Sequence, residues 1–243
     1  ESRLAPLART EGFTSVEALV DMIMKGDNRL ATAAAEALAT HETFFFRDRT
    51  PFEVFSNTIA PALQARLGRT KARIWCAACS TGQEPYSLAM LLQETPGLSA
   101  DILATDLCAS VIEKAKAGLY SQFEVQRGLP VKRLVTHFEQ TGDHFRVAPR
   151  LREMVRFETG NLLQDFGKYG KLDVIFCRNV LIYFDTAAKT EILNRLANQL
   201  QPEGFLVLGA AETVVGLTNS LKPVPGQRGL YAKPEALAKL KAA

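Results

Sequence analysis

The sequence has no apolar run near the roughly 20 residues needed to cross a bilayer, which excludes a membrane-spanning helix and any direct membrane insertion. Its opening residues, Glu1 to Arg9, lack the basic-then-apolar order of a secretory signal. Net charge is also scarce, at +3 over 243 residues, too little to argue for nucleic acid as a partner. Histidines number only three and cysteines four. No histidine lies near the cysteines in sequence, so no metal site is expected. Cys76 and Cys79 have the C-x-x-C spacing, but they lie in or just after the apolar run Ile74 to Ala78. A redox pair belongs at a helix start, where the helix dipole lowers the thiol pKa, so packing is expected of these two. There are no internal repeats and no low-complexity segment beyond an alanine patch.

What remains is an ordinary soluble composition, 47% hydrophobic and 23% charged, suited to one large domain or a small and a medium one. The cytoplasm is the expected compartment. The chain opens on Glu1 rather than Met, so a preceding segment is expected.

Residues 1–70 read as helices. Thr14 with Glu17 has the pattern of a capping box, and Val16, Leu19, Val20, Ile23 and Met24 recur at helical spacing. Gly26 suits a stop. An alanine-rich helix covers Leu30 to Ala39. Thr50, Pro51 and Glu53 mark a further start, and Pro61 a break or kink.

From Lys71 the rhythm changes. Apolar runs at Ile74–Ala78, Ile102–Ala104, Leu172–Cys177 and Phe205–Leu208 alternate with helical stretches, including Pro85–Glu94 and Thr186–Leu200. Alternating strand and helix predicts an α/β fold with a mostly parallel sheet over residues 71–243. Residues 201–204 read as the turn before the Phe205 strand, and Gly229–Ala232 as part of a closing hairpin at the sheet edge. Residues 121–157 interrupt the pattern and read as an inserted helix and antiparallel hairpin. That insert holds seven basic residues against four acidic ones: either a solvated face or a docking surface for an acidic partner.

The chemistry falls at strand ends. The first strand runs into Cys79, Ser80, Thr81, Gly82, Gln83 and Glu84, and Pro85 opens a helix. Such a turn is where α/β sheets hold nucleotide-like ligands. It has one glycine, not G-x-G-x-x-G, so a pyrophosphate and a nicotinamide dehydrogenase are disfavoured. One glycine with Glu84 suits a cationic ligand without phosphates, such as S-adenosyl-L-methionine. Asp106 follows the next strand, 24 residues after Gly82, where a carboxylate can accept from both ribose hydroxyls. Its competing role is as N-cap for a helix starting near Ser110. Asn161, Leu162 and Leu163 follow Val155–Phe157, and Arg178 and Asn179 follow Cys177; both groups should reach the same crevice. Phe44, Phe45 and Phe46 cannot share one helical face and read as a seam between domains. Arg47 beside them needs a partner, because an unpaired buried charge is costly.

Taken in order, His41–Asp48, Ala78–Ala89, Ala104–Leu107, Asn161–Leu163 and Phe176–Phe184 resemble the motifs of the chemotaxis receptor methyltransferases called CheR. The likeness runs from about Glu11 to Lys233. It implies an N-terminal all-helical domain, 1–70, and a Rossmann-like seven-stranded S-adenosylmethionine methyltransferase domain, 71–243, carrying a small antiparallel β-subdomain at 121–157. It further implies cofactor contacts from His41, Thr43, Arg47, Glu84, Asp106, Asn161, Leu162, Arg178 and Asn179, with Arg47 and Tyr183 orienting methyl donor and substrate carboxylate. The implied reaction methylates glutamates on the cytoplasmic domains of methyl-accepting chemotaxis receptors and leaves S-adenosyl-L-homocysteine. A monomer is expected. The family usually has Asn where this chain has His41. Its N-terminal helix is often basic, whereas residues 1–40 here hold four basic and six acidic groups. Some members bind a receptor C-terminal tail peptide on the inserted hairpin through a longer glycine-containing loop. Only Glu139 to His144 separates Phe138 from Phe145 here, so no tail binding is expected, and receptors would be met at their helical methylation region or at basic residues between Arg146 and Arg156. Methylation of a small molecule or RNA, and a non-catalytic cofactor-binding sensor, are the competing readings.

Overall fold

The computed structural model describes residues 3–237. The terminal residues of both expected domains lie outside them. Compact packing divides the chain between Glu42 and Thr43, well before residue 70.

The N-terminal unit holds α1 (Leu4–Thr10), α2 (Val16–Met24) and α3 (Asn28–Leu38) around a small core of Ala8, Leu19 and Leu30. α2 is capped by Ser15, whose hydroxyl accepts from the Ala18 N–H at 3.2 Å, so the cap sits one residue later than the Thr14 box. Val16, Leu19 and Ile23 face this core, while Val20 and Met24 are exposed.

The second unit begins with α4 (Thr50–Val54) and α5 (Ala60–Leu67), joined by a π turn at Phe55–Ile59 just ahead of Pro61. The widened turn accommodates the missing proline donor, and the backbone at Val54, Ile59 and Ala60 stays right-handed helical. Phe52, Val54, Phe55, Ile59 and Leu63 share one apolar core with the sheet, which is why these helices belong to this unit and not to the first. Asp173, buried within a sheet strand, is held by the Arg66 guanidinium and by the Arg73 N–H at 2.7 Å.

The sheet and its cover follow in chain order. They are β1 (Ala72–Ala77), α6 (Gln83–Gln93), β2 (Ala100–Asp106), α7 (Ala109–Ala117), β3 (Leu119–Ser121), α8 (Gln122–Gln126), α9 (Val131–His137), β4 (Phe138–Thr141), β5 (His144–Val147), α10 (Pro149–Arg152), β6 (Val155–Thr159), β7 (Leu172–Cys177), α11 (Thr186–Gln199), β8 (Leu200–Leu208), β9 (Lys222–Pro223) and β10 (Leu230–Ala232). Seven strands form one sheet in the order β6-β2-β1-β7-β8-β10-β9, parallel from β6 to β8, with β10 antiparallel to both of its neighbours, β8 and β9. Residues 201–204 are not a turn: β8 runs through them, with a register shift opposite Leu172 and Val174.

The insert is a three-stranded sheet, β3-β5-β4, with α8 and α9. It starts at Leu119, and Val155–Phe157 belong to β6 of the main sheet, so the insert is displaced from the expected 121–157. β4 and β5 are joined by Gly142 and Asp143 alone, with Thr141 opposite His144.

Candidate cofactor and methyl-transfer site

β1 is followed by β2 on one side and flanked by β7 on the other, so the strand order reverses between β1 and β7. Ligands of open α/β sheets bind outside the carboxyl ends of strands at such a reversal. Ala77 pairs with Thr105 on one side and Cys177 on the other, which brings the turns after β1, β2 and β7 to one edge.

The turn after β1 is conformationally demanding. Ala78 and Ser80 are left-handed, at φ 67° and 49°. Asp106 ties it to the turn after β2: its carboxylate accepts from the Ser80 N–H at 2.8 Å and from the Cys108 N–H at 3.1 Å. The N-cap of α7 is Cys108, so Asp106 braces the crevice instead of capping that helix. The lone glycine serves packing: a Cβ on Gly82 would stand 2.9 Å from the Ala115 Cβ and 3.1 Å from the Tyr120 hydroxyl. Its φ of 93° also opens α6 in a left-handed cap.

Arg178 and Glu84 face each other across the reversal. Arg178 is buried, and its Nη1 donates to Glu84 Oε2 at 2.7 Å. Its Nη2 donates to Asp48 Oδ2 at 2.8 Å and to the Arg47 carbonyl at 2.9 Å. Glu84 and Arg178, both expected to touch the cofactor, also bind each other. The physical reason is that either charge, buried alone, would carry a large desolvation penalty. Burial pushes the Glu84 carboxyl above its usual range, opposed by Arg178.

The segment before α4 completes the wall. Phe45 meets Tyr120 and Phe138 edge-on, with ring centroids at 5.1 and 5.5 Å, and Phe46 meets Phe52 at 5.2 Å. Phe45 and Phe46 are therefore part of the core of the second unit. Arg47, half-buried, lies 5.8 Å from the Phe44 ring centroid. Phe46, Asp48 and Arg49 are all left-handed. Such a run in residues with side chains persists only where its surroundings hold it, and it is concentrated at functional sites.

The remaining expected residues are placed as follows. Thr43 is half-buried at the start of the second unit. Asn161 accepts from the Leu163 N–H at 2.9 Å in a turn after β6, and Leu162 is buried in the apolar layer with Trp75 and Phe166. Asn179 is left-handed at φ 58°, and Tyr183 lies in a short 3-10 turn, 62% exposed. His41 belongs to the N-terminal unit, past α3. Cys76, Cys79, Cys108 and Cys177 are buried and free, and burial pushes the thiols of Cys76, Cys79 and Cys177 well up, which keeps them out of thiolate chemistry.

The sequence reading missed Glu212, a buried carboxylate beside the turn after β7. It also missed the role of Asp48. No local pattern marked either partnership, since Glu212 lies 33 residues from Asn179 and Asp48 lies 130 from Arg178.

The residues fit a nucleoside-bearing ligand. The Ser80 hydroxyl is buried beside Asp106 and makes no hydrogen bond among the described residues, so a polar ligand in the turn would satisfy it. A seven-stranded sheet with its last strand antiparallel, and an acidic residue ending the strand beside the first, define the class of S-adenosylmethionine-dependent methyltransferases. Residues 41–230 match the CheR methyltransferase S-adenosylmethionine-binding domain, and the chain belongs to that family. It is 41% identical over 240 residues to a chemotaxis protein methyltransferase of Vibrio parahaemolyticus, covering 96% of this chain and 86% of that protein. It is 39% identical to chemotaxis protein methyltransferase 1 of Pseudomonas aeruginosa, covering 94% and 86%. A chemotaxis protein methyltransferase of Borreliella burgdorferi is 33% identical, covering 90% and 81%. The cofactor is S-adenosyl-L-methionine.

Proposed function

We propose that this chain methylates glutamate side chains on the cytoplasmic domains of chemotaxis receptors, acting as a cytoplasmic monomer. Family membership sets the process. The observation that carries the reading is the braced crevice, in which Asp106, Glu84 and Arg178 hold three strand-end turns in one arrangement. A glutamate carboxylate, with a reference pKa of about 4.3, is ionised at neutral pH and needs no general base.

When bound, the cofactor supplies an electrophilic methyl group on a sulfonium. A glutamate carboxylate oxygen would be the acceptor of that methyl group, with S-adenosyl-L-homocysteine as the other product. The protein's part is alignment, worth roughly 7–11 kcal/mol in favourable cases. In this reading Asp106 accepts from the ribose. Thr43, Arg47, Glu84, Asn161, Leu162, Arg178 and Asn179 line the remaining contacts. Glu84 and Arg178 also fix the walls, and Arg47 and Tyr183 orient methyl donor and carboxylate.

Labelled methyl transfer to isolated receptor cytoplasmic fragments tests the substrate. Base-labile methyl esters on glutamates are expected; calorimetric binding of S-adenosylhomocysteine without any transfer would sink the reading and favour a sensor.

Asp106→Ala should weaken S-adenosylhomocysteine binding by about 1.5–3 kcal/mol, the worth of a charged hydrogen bond. Calorimetry on the folded variant decides it, and an unchanged dissociation constant would leave Asp106 only its bracing role toward Ser80 and Cys108.

Tyr183→Phe should keep fold and cofactor affinity while lowering kcat and kcat/KM together, as loss of a contact made in the transition state does. The ring is largely exposed, so little packing is at stake. Turnover within about twofold of wild type would remove the phenol from the mechanism.

The two-residue connection between β4 and β5 leaves little room beside edge strand β4 for an added peptide strand. A receptor tail peptide is therefore expected not to bind at micromolar concentration. Isothermal titration that gave micromolar affinity, mapped to β4, would show the opposite.

A further inference from the structure

Glu212 follows β8 and folds back toward the turn that leaves β7. Its carboxylate is buried, at 8% exposure for the residue, and accepts from four backbone N–H groups. Oε2 accepts from Asn179 at 2.9 Å and Gly209 at 2.7 Å; Oε1 accepts from Val180 at 2.9 Å and Leu181 at 2.7 Å. Three consecutive amides converging on one point form an anion-binding nest, and here the protein fills the nest with its own side chain. Gly209 makes the approach possible: a Cβ there would stand 2.7 Å from Oε2 and 3.0 Å from the Asn179 nitrogen.

The backbone so held is not one the chain would adopt unaided. Asn179 is left-handed at φ 58°, and Val180 at φ −127°, ψ −35° leads into the 3-10 turn of Leu181–Tyr183. Strained backbone of this kind persists only where surrounding contacts over-determine it. Arg178, immediately before it, is fixed from the other direction by Glu84 and Asp48. Asn179 and Tyr183 thus sit on a segment clamped at one end by an ion pair and at the other by Glu212.

We infer that Glu212 is a positioning residue for methyl transfer, holding the Asn179–Leu181 backbone and, through it, Asn179 and Tyr183 in their working arrangement. The inference rests on the reading that Asn179 meets the cofactor and Tyr183 the reacting groups. A carboxylate is required for physical reasons. It is acceptor-only and can take four N–H donors, whereas an amide of the same shape would turn its own N–H₂ toward two of them. Losing the charge also leaves buried amide donors without a partner.

The test uses Glu212→Gln, which keeps the shape, and Glu212→Asp, which keeps the charge with a shorter reach. Both are assayed at a temperature where circular dichroism shows the native fold. For Glu212→Gln the expected result is a kcat at least about tenfold lower and an S-adenosylhomocysteine Kd at least about threefold higher, with Glu212→Asp between it and wild type. A purely stabilising role predicts a lower melting temperature with kcat and Kd within about twofold of wild type for both variants, and that result overturns the inference. If the wild type binds S-adenosylhomocysteine but esterifies no receptor glutamate, the substrate reading fails by itself. The Kd comparison then still decides Glu212: an unchanged value counts against the inference and a raised one for it.

Discussion

Replacing Arg178 with methionine should lower folding stability by about 3–5 kcal/mol, the usual result of removing one partner of a buried ion pair. The guanidinium is almost wholly enclosed and serves Glu84, Asp48 and the Arg47 carbonyl together, so its loss strands a buried carboxylate. The pH dependence carries a definite sign. Burial already raises the Glu84 carboxyl, and removing Arg178 raises it further. A group whose folded pKa is raised contributes stability below its unfolded pKa and loses it as pH rises through the folded value. The deficit of Arg178→Met relative to wild type should therefore be largest at neutral pH and shrink toward the ordinary carboxylate range near 4.5. Adding Glu84→Gln should recover a large part of the loss. Urea unfolding across pH measures all three proteins. A deficit under about 1 kcal/mol, the range of exposed pairs, would mean that the clamp is not structural.

Gly128→Ala should be similarly damaging at a position far away in sequence. Gly128 is left-handed at φ 86°, and a Cβ there would stand 2.1 Å from the Phe45 carbonyl oxygen and 3.0 Å from the Phe44 ring. The left-handed backbone costs a non-glycine residue about 1–2 kcal/mol. Overpacking adds about 1–3 kcal/mol. Displacing the Phe45 carbonyl also moves the strained Phe46–Arg49 run whose backbone and Asp48 side chain receive Arg178. Cofactor affinity is therefore expected to fall with stability. Gly142→Ala is the control. Its φ of 59° is also left-handed, but nothing lies within 4 Å of the added methyl, so only the conformational part applies. Equal losses in the two variants would remove the close approach from the explanation.

The two positions also show where sequence reasoning reaches and where it stops. The strands at Leu172–Cys177 and Ile74–Ala78 were legible because a strand covered on both faces reads as a nearly continuous apolar run, a local property. The small-residue turn after the first strand and Asp106 after the second were legible for a related reason: ligand crevices of such sheets lie at fixed places relative to strand ends. The start of α2 was legible to within a residue, since Ser15 and Thr14 are equivalent caps until the helix registers on Leu19 and Leu30.

Partnership was not legible. Glu84 and Arg178 are 94 residues apart, and only the reversal of strand order sets them 2.7 Å from each other. Glu212 lies 33 residues from Asn179 and carries no motif, and its role exists only because β8 returns beside β7. The helices at 50–67 looked like the end of a helical domain, because amphipathic helices read alike whatever they cover. What the sequence determined by itself was the alternation of elements, the class of ligand crevice and the family. Only the tertiary structure decided which buried charges neutralise one another, which glycine makes room for a backbone, and which carboxylate holds the turn after β7. Those outcomes depend on desolvation and distance between chain segments that no local pattern records.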